Sequence, residues 1–216
     1  MPIHDLAQDP ERLLAALIRT EPTQERSAAR IDALLDAAAV VVDEVGFDRL
    51  TTAMVAERAN ASIGTVYRYF PDRIALLQGL RERTDIRYRR VVADRIGAEE
   101  PPTWLAALGC SLDVFIEMYR NEPGFRIVRF VDEERGNSVE PGFDGGPQGF
   151  ARAFGRVLAD DFGFPLDDLS EFRLATAIEI ADVLVSRAFA ASPGGEQRYL
   201  DEARAVVGAY LARYYG

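Results

Sequence analysis

The sequence predicts an all-α protein with two domains, and three observations lead to this class. Apolar residues recur at intervals of three and four along most of the chain, which is the spacing of a helix face. No strand-like segments alternate with these stretches, so a parallel α/β sheet is not expected. The chain has 216 residues, of which 48% are hydrophobic, and this is enough for one medium domain or two small ones.

Capping and breaking residues divide the first half of the chain into helices. Asp9 is a good N-cap for a short helix, and Gly46 suits the C-terminal end of a long one. Thr51 and Asp72 precede further helices, and Asn60 tolerates the left-handed backbone of a tight turn. The expected helices are, in order, 10–18, 24–45, 52–59, 63–70 and a long one from 73 onwards.

The second half of the chain continues the helical pattern. The segment Phe125–Val131 is ambiguous between helix and strand, although its context favours a helix. The stretch Gly136–Gly149 carries five Gly and two Pro, which predicts a loop. The expected helices of this half are 103–121, 147–162, 167–191 and 196–215.

The domain organisation follows from these elements. Residues 1–22 form an N-terminal extension, residues 23–90 the first domain, and residues 91–216 the second domain. The boundary is placed inside the long helix, between Arg83 and Arg95, because no flexible linker is visible.

The residue counts exclude several kinds of chemistry. The chain has one Cys and one His, so an intrachain disulfide, a multi-His metal site and a zinc module are ruled out. All 25 basic residues are Arg, which excludes lysine-dependent chemistry. We expect no metal and no cofactor. With no secretory signal and no apolar run long enough for a membrane span, we expect a cytoplasmic protein.

The net charge of −10 is unevenly distributed. Residues 96–216 hold 11 Arg against 20 acidic residues, whereas residues 49–90 hold 9 Arg against 4. A local basic face on an otherwise acidic protein suits a polyanion such as DNA, although a solvated helix surface gives the same count.

Two short helices joined by a three- to four-residue turn after a long helix form a helix-turn-helix, here at about 51–70. The second helix would enter a DNA major groove. Projection of that helix places Ile63, Val66 and Phe70 inward, with Tyr67 at the edge. The outward side would then hold residues that suit a groove, namely Gly64, Thr65, Arg68 and Tyr69. Thr52 and Arg73, at the starts of the neighbouring helices, are expected to bind phosphates.

This region resembles the DNA-binding signature of TetR-type transcriptional regulators over residues 26–80. The matching positions are Leu50–Thr52, Ala56, Ala59, Ser62, Gly64, Thr65, Tyr67, Tyr69–Pro71 and Leu76–Leu77. Arg73 stands where the family usually has Lys, and Asn60 replaces the usual Gly of the turn. The DNA-binding residues that we predict from both arguments are Thr52, Ser62, Gly64, Thr65, Tyr67, Arg68, Tyr69 and Arg73.

The resemblance implies an all-helical homodimer that binds a palindromic operator and holds a small inducer in its C-terminal domain. The apolar stripes of Asp167–Ala191 and Glu196–Tyr215 would build the dimer interface, or else close a monomeric bundle. We expect a mainly apolar effector, because aromatic residues are frequent in this half. The residues that we expect to bind this effector are Trp104, Phe115, Met118, Tyr119, Phe130, Phe154, Glu179 and Asp182.

Two other classes of function remain open from the sequence. One is an all-α enzyme that uses carboxylates, for which Asp132–Glu134 and Asp160–Asp161 are the dense acidic runs. The other is a helical protein-binding module that does not bind DNA. We expect no enzyme activity and therefore no catalytic residues.

Overall fold

The computed structural model describes residues 25–128 and 146–216, together with the isolated positions Ile3 and Leu6. Within these ranges the secondary structure is helical, which confirms the all-α prediction. In chain order the helices are α1 (Glu25–Val45), α2 (Thr52–Arg58), α3 (Ile63–Tyr69), α4 (Arg73–Glu99), α5 (Trp104–Asn121), α6 (Phe125–Val128), α7 (Gly146–Phe162), α8 (Asp168–Ala191) and α9 (Gln197–Tyr215). The expected short helix at 10–18 lies outside the described residues, as does most of the loop at Gly136–Gly149.

The described residues form two compact units. The N-terminal unit contains residues 25–86 and 122–128, and the C-terminal unit contains residues 87–121 and 146–216. Helix α4 therefore supplies residues to both units. The segment 122–128 lies in the stretch that the sequence assigns to the second domain, and the exact domain bounds stay a prediction.

The N-terminal unit is built around α1. Leu34, Leu35 and Val42 of α1 are fully buried and pack with apolar residues of α2, α3 and α4. Helix α1 ends where the sequence predicts, because Gly46 takes a positive φ of 81° that glycine adopts without strain.

The segment that follows α5 packs against α1. Gly124 has a φ of 74°, and its N–H donates a hydrogen bond of 3.2 Å to Oδ1 of Asp43. A Cβ added to Gly124 would lie 2.8 Å from Cγ1 of Val42 and 3.0 Å from the carbonyl oxygen of Ala39. Glycine is therefore required here by both backbone conformation and close approach. Phe125, the next residue, is buried. The segment that the sequence left open between helix and strand is helical from Phe125 to Val128.

The long helix α4 begins and ends at identifiable signals. Oδ1 of Asp72 accepts a hydrogen bond of 2.8 Å from the N–H of Ala75, as expected of an N-cap. The helix passes through Gly97 and ends at Glu99. Pro101 disfavours a helical backbone at the preceding residue, and Glu100 has a φ of 45°.

In the C-terminal unit α8 packs against α7 and α9, and α9 also packs against α5. Asp167 caps α8 by accepting a hydrogen bond of 2.7 Å from the N–H of Ser170. The apolar stripe expected on α8 is buried or half-buried within the chain, as is most of the stripe on α9. These stripes therefore pack inside the C-terminal unit and do not form a surface for a second copy. Among the described residues, no helix combines the length and apolar character that crossing a membrane requires.

Candidate nucleic-acid interface

Local capping sets the geometry of α2 and α3. The side chain of Thr51 accepts a hydrogen bond of 3.2 Å from the N–H of Met54, and that of Ser62 accepts one of 3.1 Å from the N–H of Thr65. Between the helices, Asn60 has a φ of 48°, the left-handed conformation that its residue type tolerates. The N–H of Ala61 returns to the carbonyl oxygen of Ala56 at 2.9 Å. The two helices and their turn therefore match the predicted motif.

The faces of α3 differ from the projection at two positions. Val66, Tyr69 and Phe70 are buried, whereas Ile63 is 48% exposed. The predicted outward position of Tyr69 and inward position of Ile63 are thus wrong. Helix α3 has only seven residues, so Ile63 in its first turn extends beyond the surface on which Val66 and Phe70 pack.

The remaining outward residues of α3 agree with the predicted face. Gly64 and Arg68 are exposed, and Thr65 is half-buried. Tyr67, which the projection placed at the edge of the inner face, is exposed as well. The guanidinium of Arg68 lies 5.7 Å from the centre of the Tyr69 ring, so the buried tyrosine supports the arginine from below. The exposed side of α3 therefore carries the guanidinium of Arg68 and the phenol of Tyr67.

Several hydroxyls predicted to bind DNA are hydrogen-bonded within the protein. Thr52 is only 8% exposed, and its Oγ1 donates to the hydroxyl of Tyr67 at 3.2 Å. The hydroxyls of Ser62 and Thr65 lie 2.9 Å apart. The first bond joins α2 to α3, so Thr52 fixes the position of Tyr67.

Arg73 also holds parts of the unit together. Its Nη1 donates to the carbonyl oxygen of Phe47 at 3.0 Å and to that of Asp48 at 2.9 Å. The guanidinium lies 5.1 Å from the centre of the Phe47 ring. The start of α4 is thereby attached to the loop that precedes α2, a contact that the sequence pattern does not reveal.

The positive charge counted over residues 49–90 is partly balanced by acidic residues of α1. Arg58 forms a salt bridge with Glu44, whose hydrogen bond and charge raise the pKa of Arg58 above its usual value. Nη1 of Arg83 lies 2.6 Å from Oδ1 of Asp36. The charge of this surface is therefore more local than the sequence count suggests, and Arg68 remains on its exposed part.

The C-terminal unit contains a buried aromatic cluster that includes three of the predicted ligand-binding residues. The rings of Phe115 and Tyr119 lie 5.5 Å apart, and that of Phe154 stacks on Phe150 at 5.1 Å. Tyr88 joins the two pairs, because its ring lies 6.0 Å from Phe115 and 4.9 Å from Phe150.

The other predicted ligand-binding residues are placed differently. Trp104 packs on Phe164 at 5.2 Å, and Phe164 contacts Tyr215, so Trp104 belongs to a second aromatic group. Met118 is buried and Asp182 is half-buried. Glu179 is exposed, so it does not belong to the buried aromatic cluster. Phe130 lies outside the described residues.

The sequence analysis missed two aromatic residues of this cluster, Tyr88 and Phe189. The hydroxyl of Tyr88 donates to the carbonyl oxygen of Ser111 at 3.1 Å, and the hydroxyls of Tyr119 and Ser186 lie 2.8 Å apart. Phe189 stacks on Tyr119 at 5.0 Å. Tyr88 stands among arginines, and this pattern indicated a charged surface rather than a buried ring.

The acidic runs considered for an enzyme do not form a buried carboxylate pair in the described structure. Asp160 and Asp161 are both exposed at the end of α7. Asp132–Glu134 lies outside the described residues.

Comparisons with known proteins agree with this architecture. The family profile described as "Bacterial regulatory proteins, tetR family" matches residues 34–80. The profile described as "Tetracyclin repressor-like, C-terminal domain" matches residues 102–215. The chain is also 36% identical over 64 residues to the HTH-type transcriptional repressor KstR of Mycolicibacterium smegmatis, which is 30% of this chain and 31% of that repressor. The chain therefore aligns with about a third of the length of this curated relative.

Solved structures extend the likeness over most of the chain. A TetR-family transcriptional regulator from Streptomyces coelicolor is 33% identical, with a TM-score of 0.72, over 85% of this chain and 98% of that one. The structure of SmeT in complex with triclosan has the same fold at 18% identity, with a TM-score of 0.54, over 87% of this chain and 92% of that one. Together with the profile that covers residues 102–215, these findings show that the chain belongs to the TetR family of bacterial regulatory proteins.

Proposed function

We propose that this protein is a ligand-responsive transcriptional repressor that binds a palindromic DNA operator as a homodimer in the cytoplasm. The observation that carries the proposal is the exposed face of α3, where Gly64, Tyr67 and Arg68 lie on a helix that Ser62 caps and whose inner side is buried. The name of the KstR relative, a transcriptional repressor, supports the same function.

Arg68 is the residue that we assign to base recognition. An arginine on the exposed face of a reading helix can donate two hydrogen bonds to O6 and N7 of guanine. We assign Tyr67 to a phosphate at the edge of the groove, to which its hydroxyl would donate. Thr52 and Tyr69 support these two residues from the protein side, since one bonds the hydroxyl of Tyr67 and the other underlies Arg68.

The dimer interface that we propose lies on α8 and α9. Leu169, Phe172 and Val183 of α8 are exposed apolar residues, and Ile180 between them is half-buried. Their spacing of three, eight and three residues places all four on one side of the helix. A second copy of the chain would cover these four residues. In a C2 dimer the same surface of both copies forms the interface.

The effector that we propose is small and mainly apolar, and it binds in the C-terminal unit. The aromatic cluster offers apolar contact area, and the hydroxyl pair of Tyr119 and Ser186 offers one polar contact within it. SmeT, which shares the fold, is known in complex with triclosan. A difference of about 1–3 kcal/mol between the free energies with which the effector binds the DNA-competent and DNA-incompetent conformations would alter operator affinity roughly 5- to 150-fold.

Selection of bound sequences from random duplex DNA tests the proposed function. The purified full-length protein should enrich a palindrome whose half-sites are separated by about one helical turn, roughly 34–36 Å. Enrichment of a sequence without two-fold symmetry would contradict the dimer, and the absence of any enriched sequence would contradict DNA recognition itself.

A further inference from the structure

Ile63 takes no part in the hydrophobic core of the N-terminal unit. It is 48% exposed, although Val66 and Phe70 of the same segment are fully buried. One turn further along the helix, Tyr67 is 44% exposed, so the two side chains lie on the same outward face. An isoleucine placed in solvent beside the residues of the proposed DNA contact is free to make an apolar contact with another molecule.

The neighbouring Gly64 is not required by the fold either. Its φ lies outside the left-handed range, and a Cβ added to it would meet only Oγ of Ser62, at 3.8 Å. Alanine is a better helix former than glycine, and the position has room for it. We infer that glycine at position 64 allows another molecule to approach the helix backbone closely. Gly124 differs, because glycine is required there by packing within the protein.

The polar groups next to Ile63 are already engaged. The hydroxyl of Ser62 accepts the N–H of Thr65 and bonds the hydroxyl of Thr65. The surface formed by Ile63 and Gly64, which we call the apolar notch, thus presents a hydrocarbon side chain beside bare backbone. In a major groove the apolar group exposed on a base edge is the 5-methyl group of thymine.

We propose that the apolar notch receives the 5-methyl group of a thymine and so makes Ile63 a specificity-determining residue. The inference rests on the proposed function of α3 as the reading helix. The first residues of such a helix contact base edges, which is where Ile63 and Gly64 stand.

The test replaces each thymine of the selected operator in turn by deoxyuridine, which removes only the methyl group. One position in each half-site should lower the affinity of the parent protein about fourfold per methyl group, the value of one buried methyl. The Ile63→Ala variant should bind the thymine and uracil operators equally well. Ile74→Ala is the matched control, because Ile74 is 46% exposed and lies outside α3, and this variant should keep the fourfold difference.

A second variant separates recognition from folding. Gly64→Ala should unfold at the same temperature as the parent or above it, yet bind the operator at least tenfold more weakly, because its methyl group fills the notch. The inference is overturned if deoxyuridine leaves the affinity of the parent unchanged at every position. It is also overturned if deoxyuridine lowers the affinities of the parent and of Ile63→Ala by the same factor. Unchanged affinity of Gly64→Ala also overturns it. Failure to enrich any DNA overturns the proposed function and this inference with it.

Discussion

Replacement of Arg73 tests whether this residue binds a DNA phosphate or acts as a brace, that is, stabilises the fold through contacts within the N-terminal unit. The sequence predicts a phosphate contact, but the structure directs Nη1 to the carbonyl oxygens of Phe47 and Asp48 and the guanidinium to the Phe47 ring. Two half-exposed hydrogen bonds of about 1 kcal/mol each and a cation–π contact of about 0.5–1 kcal/mol give a total near 2–3 kcal/mol. We expect Arg73→Ala to lower the free energy of unfolding by about this amount.

The assay combines urea unfolding with operator binding at several salt concentrations. A brace leaves the slope of log affinity against log salt unchanged, whereas loss of a phosphate contact reduces it by about one per protomer. Arg73→Gln keeps one possible donor without the charge, so we expect it to be intermediate in stability and unchanged in slope. Arg90→Ala removes an exposed arginine of α4 and serves as the control. Unchanged stability of Arg73→Ala with a smaller salt slope would refute the assignment as a brace.

Three further predictions concern the rest of the chain. Val183→Arg should convert the dimer to a monomer in light scattering without loss of stability, because Val183 is 67% exposed, whereas Ile74→Arg should stay dimeric; a dimeric Val183→Arg would exclude this interface. Burial raises the pKa of Glu82 from 4.5 to about 7, so its contribution to stability, present below pH 4.5, is lost as the pH rises to about 7. Glu82→Gln should therefore be more stable than the parent at pH 8 by a few kcal/mol and equal to it near pH 4, unlike the exposed control Glu202→Gln; equal pH profiles for parent and Glu82→Gln would contradict this. An apolar effector found in a ligand screen should change Trp104 fluorescence and release the operator over the same concentration range, and a fluorescence change without release would contradict the switch.

Local signals in the sequence predicted the elements of the N-terminal unit. Thr51, Gly46 and Asn60 act at short range, through a cap, a helix end and a turn, and the structure places each in its predicted role. These signals depend on the backbone preferences of single residues, so they do not require knowledge of distant contacts.

Predictions that depended on long-range packing were less reliable. The helical projection of α3 misplaced Ile63 and Tyr69, because it does not show which ends of a two-turn helix are covered by neighbours: Ile63 in the first turn is exposed, whereas Tyr69 in the last turn is buried. The contact of Arg73 with Phe47 joins residues that are 26 positions apart, and nothing in a periodic pattern marks it. The burial of Tyr88 among arginines was hidden for the same reason.

The central claim is that the exposed face of α3 reads DNA bases through Arg68. The measurement that tests it most directly is the ratio of affinities for the selected operator and for scrambled DNA, compared between the parent and Arg68→Ala. Loss of a base contact worth about 1–3 kcal/mol should lower this ratio roughly 5- to 150-fold. Arg156→Ala, which removes an exposed arginine of α7, should leave it unchanged. An unaltered ratio in Arg68→Ala would contradict the account.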